Sequence, residues 1–291
     1  MHGQWAQYVA AGVTAGAIYA LVALGFSIIY NASRAINFAQ GEFVMIGGMS
    51  AVSLVALGLP LAVAVPLAVF AAVAVGALLE KLAIEPARNA DTVTLIIITI
   101  GAALFLRGLA QLVWDKRIHP LPSFSGDQPI EILGATIVPQ SLWVLGGTAI
   151  AVAALTWFFG GTLAGKAMRA TSYNRLAAQL IGVNTRAVLL ASFALAAALG
   201  ALGGVLTAPI TFTSYDAGIM LGLKGFAAAM LGGLGSFAGA IVGGLALGLL
   251  EALGAGFVSS AYKDAIAFVI ILAVLFLMPG GLLGKRGSER V

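Results

Sequence analysis

Gly165–Arg186 reads GKAMRATSYNRLAAQLIGVNTR and lies between two long apolar runs, about Ser141–Phe159 before it and Ala187–Ala208 after it. It holds Lys166, Arg169, Arg175 and Arg186 and no acidic residue. A stretch of this charge between two lipid-compatible runs belongs outside the bilayer, on the face that collects Lys and Arg, which is the cytoplasm. Ala167, Leu176, Ala177, Leu180 and Ile181 fall near helical spacing, and Ser172 and Asn174 are of the types that cap helices. The stretch therefore predicts a short amphipathic helix lying across the membrane face, a surface suited to docking. By charge alone an ordinary basic cytoplasmic loop fits as well.

The rest of the chain agrees with that placement. Of the 291 residues 61% are hydrophobic and 9% charged, and apolar runs of about 20 residues recur, which excludes a soluble domain and predicts an all-α, polytopic helical membrane protein. The net charge of +4 sits in a few loops, which speaks for membrane orientation and against nucleic-acid binding. There is no cysteine, so thiol catalysis and Cys-based metal sites are excluded. His2 and His119 are far apart and lack a second ligand at metal spacing, so no metal is expected. The N-terminal stretch has no Lys or Arg before its apolar run, which predicts a retained first span rather than a removable signal.

Eight apolar segments follow in order. The first spans about Trp5–Tyr30 and the second Phe43–Leu57, with the polar interruption Ile36–Glu42 between them. Asn37, Gln40 and Glu42 within it fit an interfacial helix start or a broken helix lining a route; irregular backbone at membrane depth is tolerated where protein or a cavity shields it. The third, Leu61–Leu82, ends in a mixed-charge loop, and the fourth, Thr92–Trp114, carries Arg107 about 10 Å of helix from its end, within snorkelling reach. Four prolines make Asp115–Gln140 the longest extramembrane loop. Segments five and six flank the basic stretch, and the sixth ends at Pro209. Gly160–Lys166 spells G-x-x-x-x-G-K, but Ala167 stands where Ser or Thr would ligate magnesium and a span precedes it, so this chain has no phosphate loop and needs another subunit for energy.

The seventh run, Gly218–Ser259, is too long for one passage of about 20 residues, and the last covers about Ala265–Leu283. Placing both Gly165–Arg186 and the basic tail Lys285–Arg290 in the cytoplasm requires an even number of crossings between them, so the seventh run crosses twice with its turn near Gly235–Ser236. Eight to nine transmembrane helices result. Lys224 and Glu251 then lie about 18 and 22 Å from the turn, at similar depth, placed either to pair or to snorkel separately. Gly235, Gly239 and Gly243 recur at the spacing that lets helices pack closely.

Three sets of residues resemble a known family. Ala177-Ala178, three residues, then Gly182 is similar to the core of the loop by which permease subunits of ATP-binding-cassette importers engage their ATPases, with Leu176 where that loop has Glu. Gly16–Leu21, Ala23–Gly25 and Ile36–Glu42, in which Gln40 replaces a frequent His, resemble the opening of the branched-chain amino-acid (Leu/Ile/Val) permease family, and Leu231–Ala240 with Lys224 and Glu251 resembles its later part. The resemblance implies one transmembrane permease domain over 1–291 with a cytoplasmic coupling loop at 165–186. It implies coupling through Arg169, Asn174, Ala177, Ala178 and Gly182, and a path near Asn37, Gln40, Glu42, Lys224 and Glu251. It further implies a non-enzymatic transport subunit without a cofactor, with ATP on two cytoplasmic ATPase subunits, a second permease subunit and an external substrate-binding protein. The expected location is the inner membrane, with the C-terminus expected in the cytoplasm. Urea and short-chain amides are carried within the same family. From another class, an ion-coupled secondary transporter would need intramembrane relay groups, for which Glu42, Lys224 and Glu251 are the candidates.

Overall fold

Helix α1 (His2–Ser33) is the axis of the bundle. Its 32 residues reach about 48 Å at helical rise, and other parts of the chain cover 89% of its most apolar window. A computed structural model describes residues 2–132, 135–257, 260–278 and 280–284; Ser259 and the tail Lys285–Arg290 of the sequence reading lie outside them. Small side chains make the central position possible. Gly12, Gly16 and Ala20 of α1 face Gly244 and Gly248 of α10 (Phe237–Phe257), where an added methyl would fall on the opposite backbone. Backbones that close forfeit side-chain burial and gain dispersion contact along their length.

Around this axis stand α2 (Gln40–Ala56), α8 (Thr185–Thr211), α9 (Ala217–Gly232) and α10, with α3 (Leu61–Leu79), α4 (Thr92–Trp114) and α5 (Pro139–Gly161) outside them. The apolar windows of α3 and α4 are 22% covered and that of α5 17%, so these three present their aliphatic faces outward, as lipid-facing helices do. Helix α3 continues through a π-helical turn, Glu80–Ile84. Helix α8 carries Pro209 inside its last turn and runs on to Thr211, beyond the expected stop; a proline near a helix end costs little when the freed carbonyl has other partners. The final helix, α11 (Lys263–Leu277), is shorter than the run Ala265–Leu283 from which it was expected, since Gly281 N–H donates back to the Met278 carbonyl and Leu282 and Leu283 donate to the carbonyls of Leu231 and Gly232.

Among the described residues six helices are long and apolar enough to cross a membrane; α2 and α9 are apolar but shorter. The seventh run folds as the hairpin α9–α10, whose turn at 233–236 uses Gly233 and Gly235 with φ of 103° and 86°. Gly239 and Gly243 pack α10 onto Gly232 and Ala228, as read from their spacing, whereas Gly235 serves the turn beside Asn31 and does not pack a helix face.

The proline-rich loop is not wholly irregular. Strands β1 (Ile130–Ile132) and β2 (Ala135–Ile137) pair antiparallel, and Gln7 binds Thr136 through both its amide oxygen and nitrogen. Phe257 packs on Trp5 and Tyr8, and His119 bridges Thr213, so the start of α1, the hairpin, the end of α10 and the α8–α9 connection share one end of the bundle. At the other end, Arg34 binds the Ser172 carbonyl and Asn31 binds that of Gly235. Glu85 lies there too: the Lys81 hydrogen bond, and in smaller part the charge of Arg186, hold its carboxyl below the usual range.

Candidate translocation-path and coupling residues

The polar interruption between α1 and α2 is folded into the protein. Asn37 is buried, and its Oδ1 accepts from the Ala39 backbone N–H at 3.1 Å, ordering the turn that starts α2. Phe38 N–H reaches Thr99 Oγ1 at 3.2 Å, anchoring the extended segment to α4. Gln40 is fully buried in a slot left by Gly25 and Gly200, where its Nε2 donates to the Ala196 carbonyl at 2.9 Å. Glu42, 2% exposed, takes an Arg107 N–H on Oε1 at 2.5 Å. Asn37, Gln40 and Glu42 therefore stand within the protein, the arrangement that a broken helix needs and an interfacial helix start does not. Arg107 corrects the sequence reading: it does not snorkel to the interface but turns across to α2, because a carboxylate at its own depth neutralises it where water is scarce.

Lys224 and Glu251 also meet. Lys224 Nζ lies 2.8 Å from Glu251 Oε1 and 2.7 Å from Asp264 Oδ1, Tyr19 OH donates to Glu251 Oε2 at 2.7 Å, and Lys263 Nζ stands 3.7 Å from Glu251. Separate snorkelling is thereby replaced by a cluster joining α1, α9, α10 and α11. It lies apart from the Glu42–Arg107 pair, so the five path candidates divide into two groups. Tyr19, Thr99, Arg107, Lys263 and Asp264 were missed as members; counting along the helices puts Glu42 at the inner start of its segment and Arg107 near the outer end of its own, so nothing in the sequence matched their depths, and Tyr19 had no signal either.

The basic stretch forms two helices, α6 (Leu163–Tyr173) and α7 (Arg175–Leu180), in place of one. Thr162 Oγ1 accepts from Gly165 N–H at 3.0 Å to start α6, and Gly165 lies too close to the Phe158 carbonyl for any side chain, so α6 folds back on α5. Gly165, Met168 and Thr171 face inward, while Lys166 and Arg169 face out. Asn174 caps α7, accepting from Ala177 N–H at 3.0 Å; Ser172 instead donates to the Arg169 carbonyl and caps nothing, since α6 has not yet ended there. Helix α7 closes with Gly182 at φ 91°, Gly182 N–H to Gln179 carbonyl and Val183 N–H to Ala178 carbonyl, the two-bond Schellman arrangement that favours glycine. Asn184 then caps α8.

Every turn of this loop is thus tied by a local hydrogen bond, and what it presents is apolar: Leu176, Leu180 and Ile181 are 70%, 82% and 78% exposed. Ala177, Gly182, Arg169 and Asn174 stand beside them at the surface. Ala178 does not, because it is the residue of α7 that faces the chain itself, so an outward contact through Ala178 is not available in this conformation.

The family model described as "Branched-chain amino acid transport system / permease component" matches residues 8–275. The high-affinity branched-chain amino acid transport system permease protein LivH of Escherichia coli (strain K12) is 35% identical over 96% of both chains. The corresponding protein BraD of Pseudomonas aeruginosa is 33% identical, again over 96% of both. Among solved structures, a chain of PsaBC from Streptococcus pneumoniae in complex with Fab aligns at 17% identity and TM-score 0.46, covering 96% of this chain and 91% of that one. With the family's sequence pattern running through the whole helical bundle, from the buried break at Asn37–Glu42 to the capped basic loop, the chain belongs to the branched-chain amino acid transport permease family.

Proposed function

We propose that the chain is the membrane-spanning permease subunit of an ATP-driven importer of branched-chain amino acids in the inner membrane. The observation that carries the reading is the α6–α7 loop. Large apolar side chains on a rigid, basic, extramembrane surface mark a protein contact, and Leu176, Leu180 and Ile181 form such a surface where an ATPase subunit would dock. Two cytoplasmic ATPases bind and hydrolyse the ATP, this chain holding none, and a second permease and an external binding protein complete the assembly.

The orientation follows from charge. Arg34, Lys81, Arg88, Lys166, Arg169, Arg175 and Arg186 gather at the loop end, against Lys116, Arg117 and Lys263 at the other, a bias that supports a cytoplasmic loop end. On this reading helices α8 to α11 make four crossings after the loop, and the seating of Leu282 and Leu283 on the carbonyls of Leu231 and Gly232 beside the α9–α10 turn supports a cytoplasmic C-terminus. Counting α2, α9 and α11 as short crossings gives nine.

The test is affinity purification of the tagged chain from cells that express its neighbours. An ATPase retained with it, whose turnover rises with leucine-loaded binding protein and not with urea or amides, bears out the proposal. Proton-dependent leucine uptake by the chain alone refutes it.

A further inference from the structure

Glu42 and Arg107 form an incomplete pair. They share one carboxylate oxygen, and the remaining Glu42 Oε2 is buried without a hydrogen-bond partner among the described residues, as is Arg107 Nε. Arg107 keeps 23% of its side chain exposed while Glu42 keeps 2%. Both line a cavity of about 220 Å³ between α2, α4 and α9. Its remaining wall is hydrocarbon, chiefly Phe26, Phe38, Phe226, Ile100, Ile219 and Leu223, and Gly41, Gly218 and Gly222 pack the helix backbones closely behind it.

An unused carboxylate oxygen beside a partly open guanidinium, set in an apolar wall, is an unusual thing to leave unmet in a membrane helix, where an unsatisfied buried polar group is costly. A ligand that satisfies both must bring a cation and an anion a few bonds apart and an apolar body. We propose that this cavity is a recognition subsite for the zwitterion of an aliphatic α-amino acid: the ammonium donates to Glu42 Oε2, the carboxylate accepts from the exposed edge of Arg107, and the side chain lies against Phe38, Phe226 and Ile219. The inference rests on the importer reading and specifies where in this chain the substrate is read. Each charge leaving water meets an opposite charge, whereas an amine, a carboxylate or an amide alone meets half of the site and leaves the other half unpaired, the condition under which polar sites discriminate strongly. The cavity is smaller than pockets for drug-sized ligands, as suits one amino acid and excludes a peptide.

The chain has no cysteine, so a reporter is simple to place. Leu223→Cys at the rim is labelled with a water-soluble maleimide in the full permease–ATPase complex in nanodiscs, with leucine, 4-methylpentanoate (no ammonium) or 3-methylbutylamine (no carboxylate) present. At about ten times its Kd leucine slows labelling about tenfold, while neither analogue does so at the same concentration. Glu42→Gln and Arg107→Gln each remove the protection. Equal protection by all three compounds overturns the proposal, and this comparison uses the pair intact, so it stands even where the charge variants fail to fold. Leucine uptake by the complete system without protection refutes the subsite and leaves the importer; protection without uptake supports the subsite and refutes the importer.

Discussion

Lys224 and Glu251, 27 residues apart in sequence, meet at 2.8 Å across the α9–α10 hairpin, and Asp264 closes on the same ammonium at 2.7 Å. One lysine therefore serves two carboxylates, and the two partners are unequal. Lys224→Met leaves Glu251 and Asp264 with only the half-exposed Lys263, 3.7 Å from Glu251, as a counter-charge and costs about 3–5 kcal/mol, whereas Glu251→Gln leaves Lys224 paired with Asp264 and costs about 1–3 kcal/mol. Thermal unfolding of the detergent-solubilised chain, followed by fluorescence-detected size exclusion, gives the order. A Glu251→Gln variant less stable than Lys224→Met would show that Asp264 does not share the charge. For the same reason the exchange Lys224→Glu with Glu251→Lys restores little, since the new carboxylate confronts Asp264.

Glycine substitutions separate helix contact from open surface. A Cβ at Gly248 strikes the backbone of Gly12 and Gly16, and Gly248→Ala is expected to cost about 1–3 kcal/mol by overpacking. Gly101 and Gly108 in α4 have nothing within 4 Å of an added Cβ among the described residues, so alanine there gains up to about 1 kcal/mol of helix propensity. Melting temperatures moving the same way at both sets of sites would contradict the α1–α10 packing.

Gln40 and Gly25 form one unit. Gly25→Ala pushes the Gln40 amide out of its slot and forfeits the bond to Ala196, as does Gln40→Ala, at about 1–3 kcal/mol each. In a double-mutant cycle the double variant is expected to fall no further than the worse single one. Additive losses would mean that the glycine serves another contact.

On the α6–α7 loop, Leu180→Asp is expected to abolish recovery of the ATPase while the variant elutes and melts like the parent, because Leu180 touches little of its own chain. Ala178→Arg drives a charge into the loop's own packing and lowers both recovery and melting temperature. Asn174→Ala removes a cap worth about 1 kcal/mol and weakens recovery in part. Unchanged recovery with Leu180→Asp places the docking surface elsewhere.

Much of this was legible in the residues. The turn at Gly235–Ser236 followed from a parity argument on two basic segments, and the depth match of Lys224 with Glu251 followed from helical rise. What escaped were interactions set by neighbours distant in sequence. Arg107 offered a snorkelling distance along its own helix, and nothing local announced that Glu42 faced it from α2. The inward turn of Ala178 was hidden for a related reason: a two-turn helix has too few residues for periodicity to say which face is covered. Strands β1 and β2 were lost in a loop whose prolines advertised only that it was no helix, and Gly235 kept the fourfold spacing of its neighbours while doing the work of a turn.

The central place of α1 has a consequence for biosynthesis. It is made early, yet the glycine face of α10 that covers it and the Glu251 carboxylate that receives Tyr19 are more than two hundred residues downstream. At about 5–20 residues per second the ribosome needs on the order of 10–40 s to supply them. For that interval α1 must be held by lipid or by an insertase, its small-residue groove unfilled and its tyrosine without its acceptor. Chains that stop short of α10 should then be recognised as orphans and cleared by membrane proteases, and the last fifth of the sequence would decide whether the first helix survives.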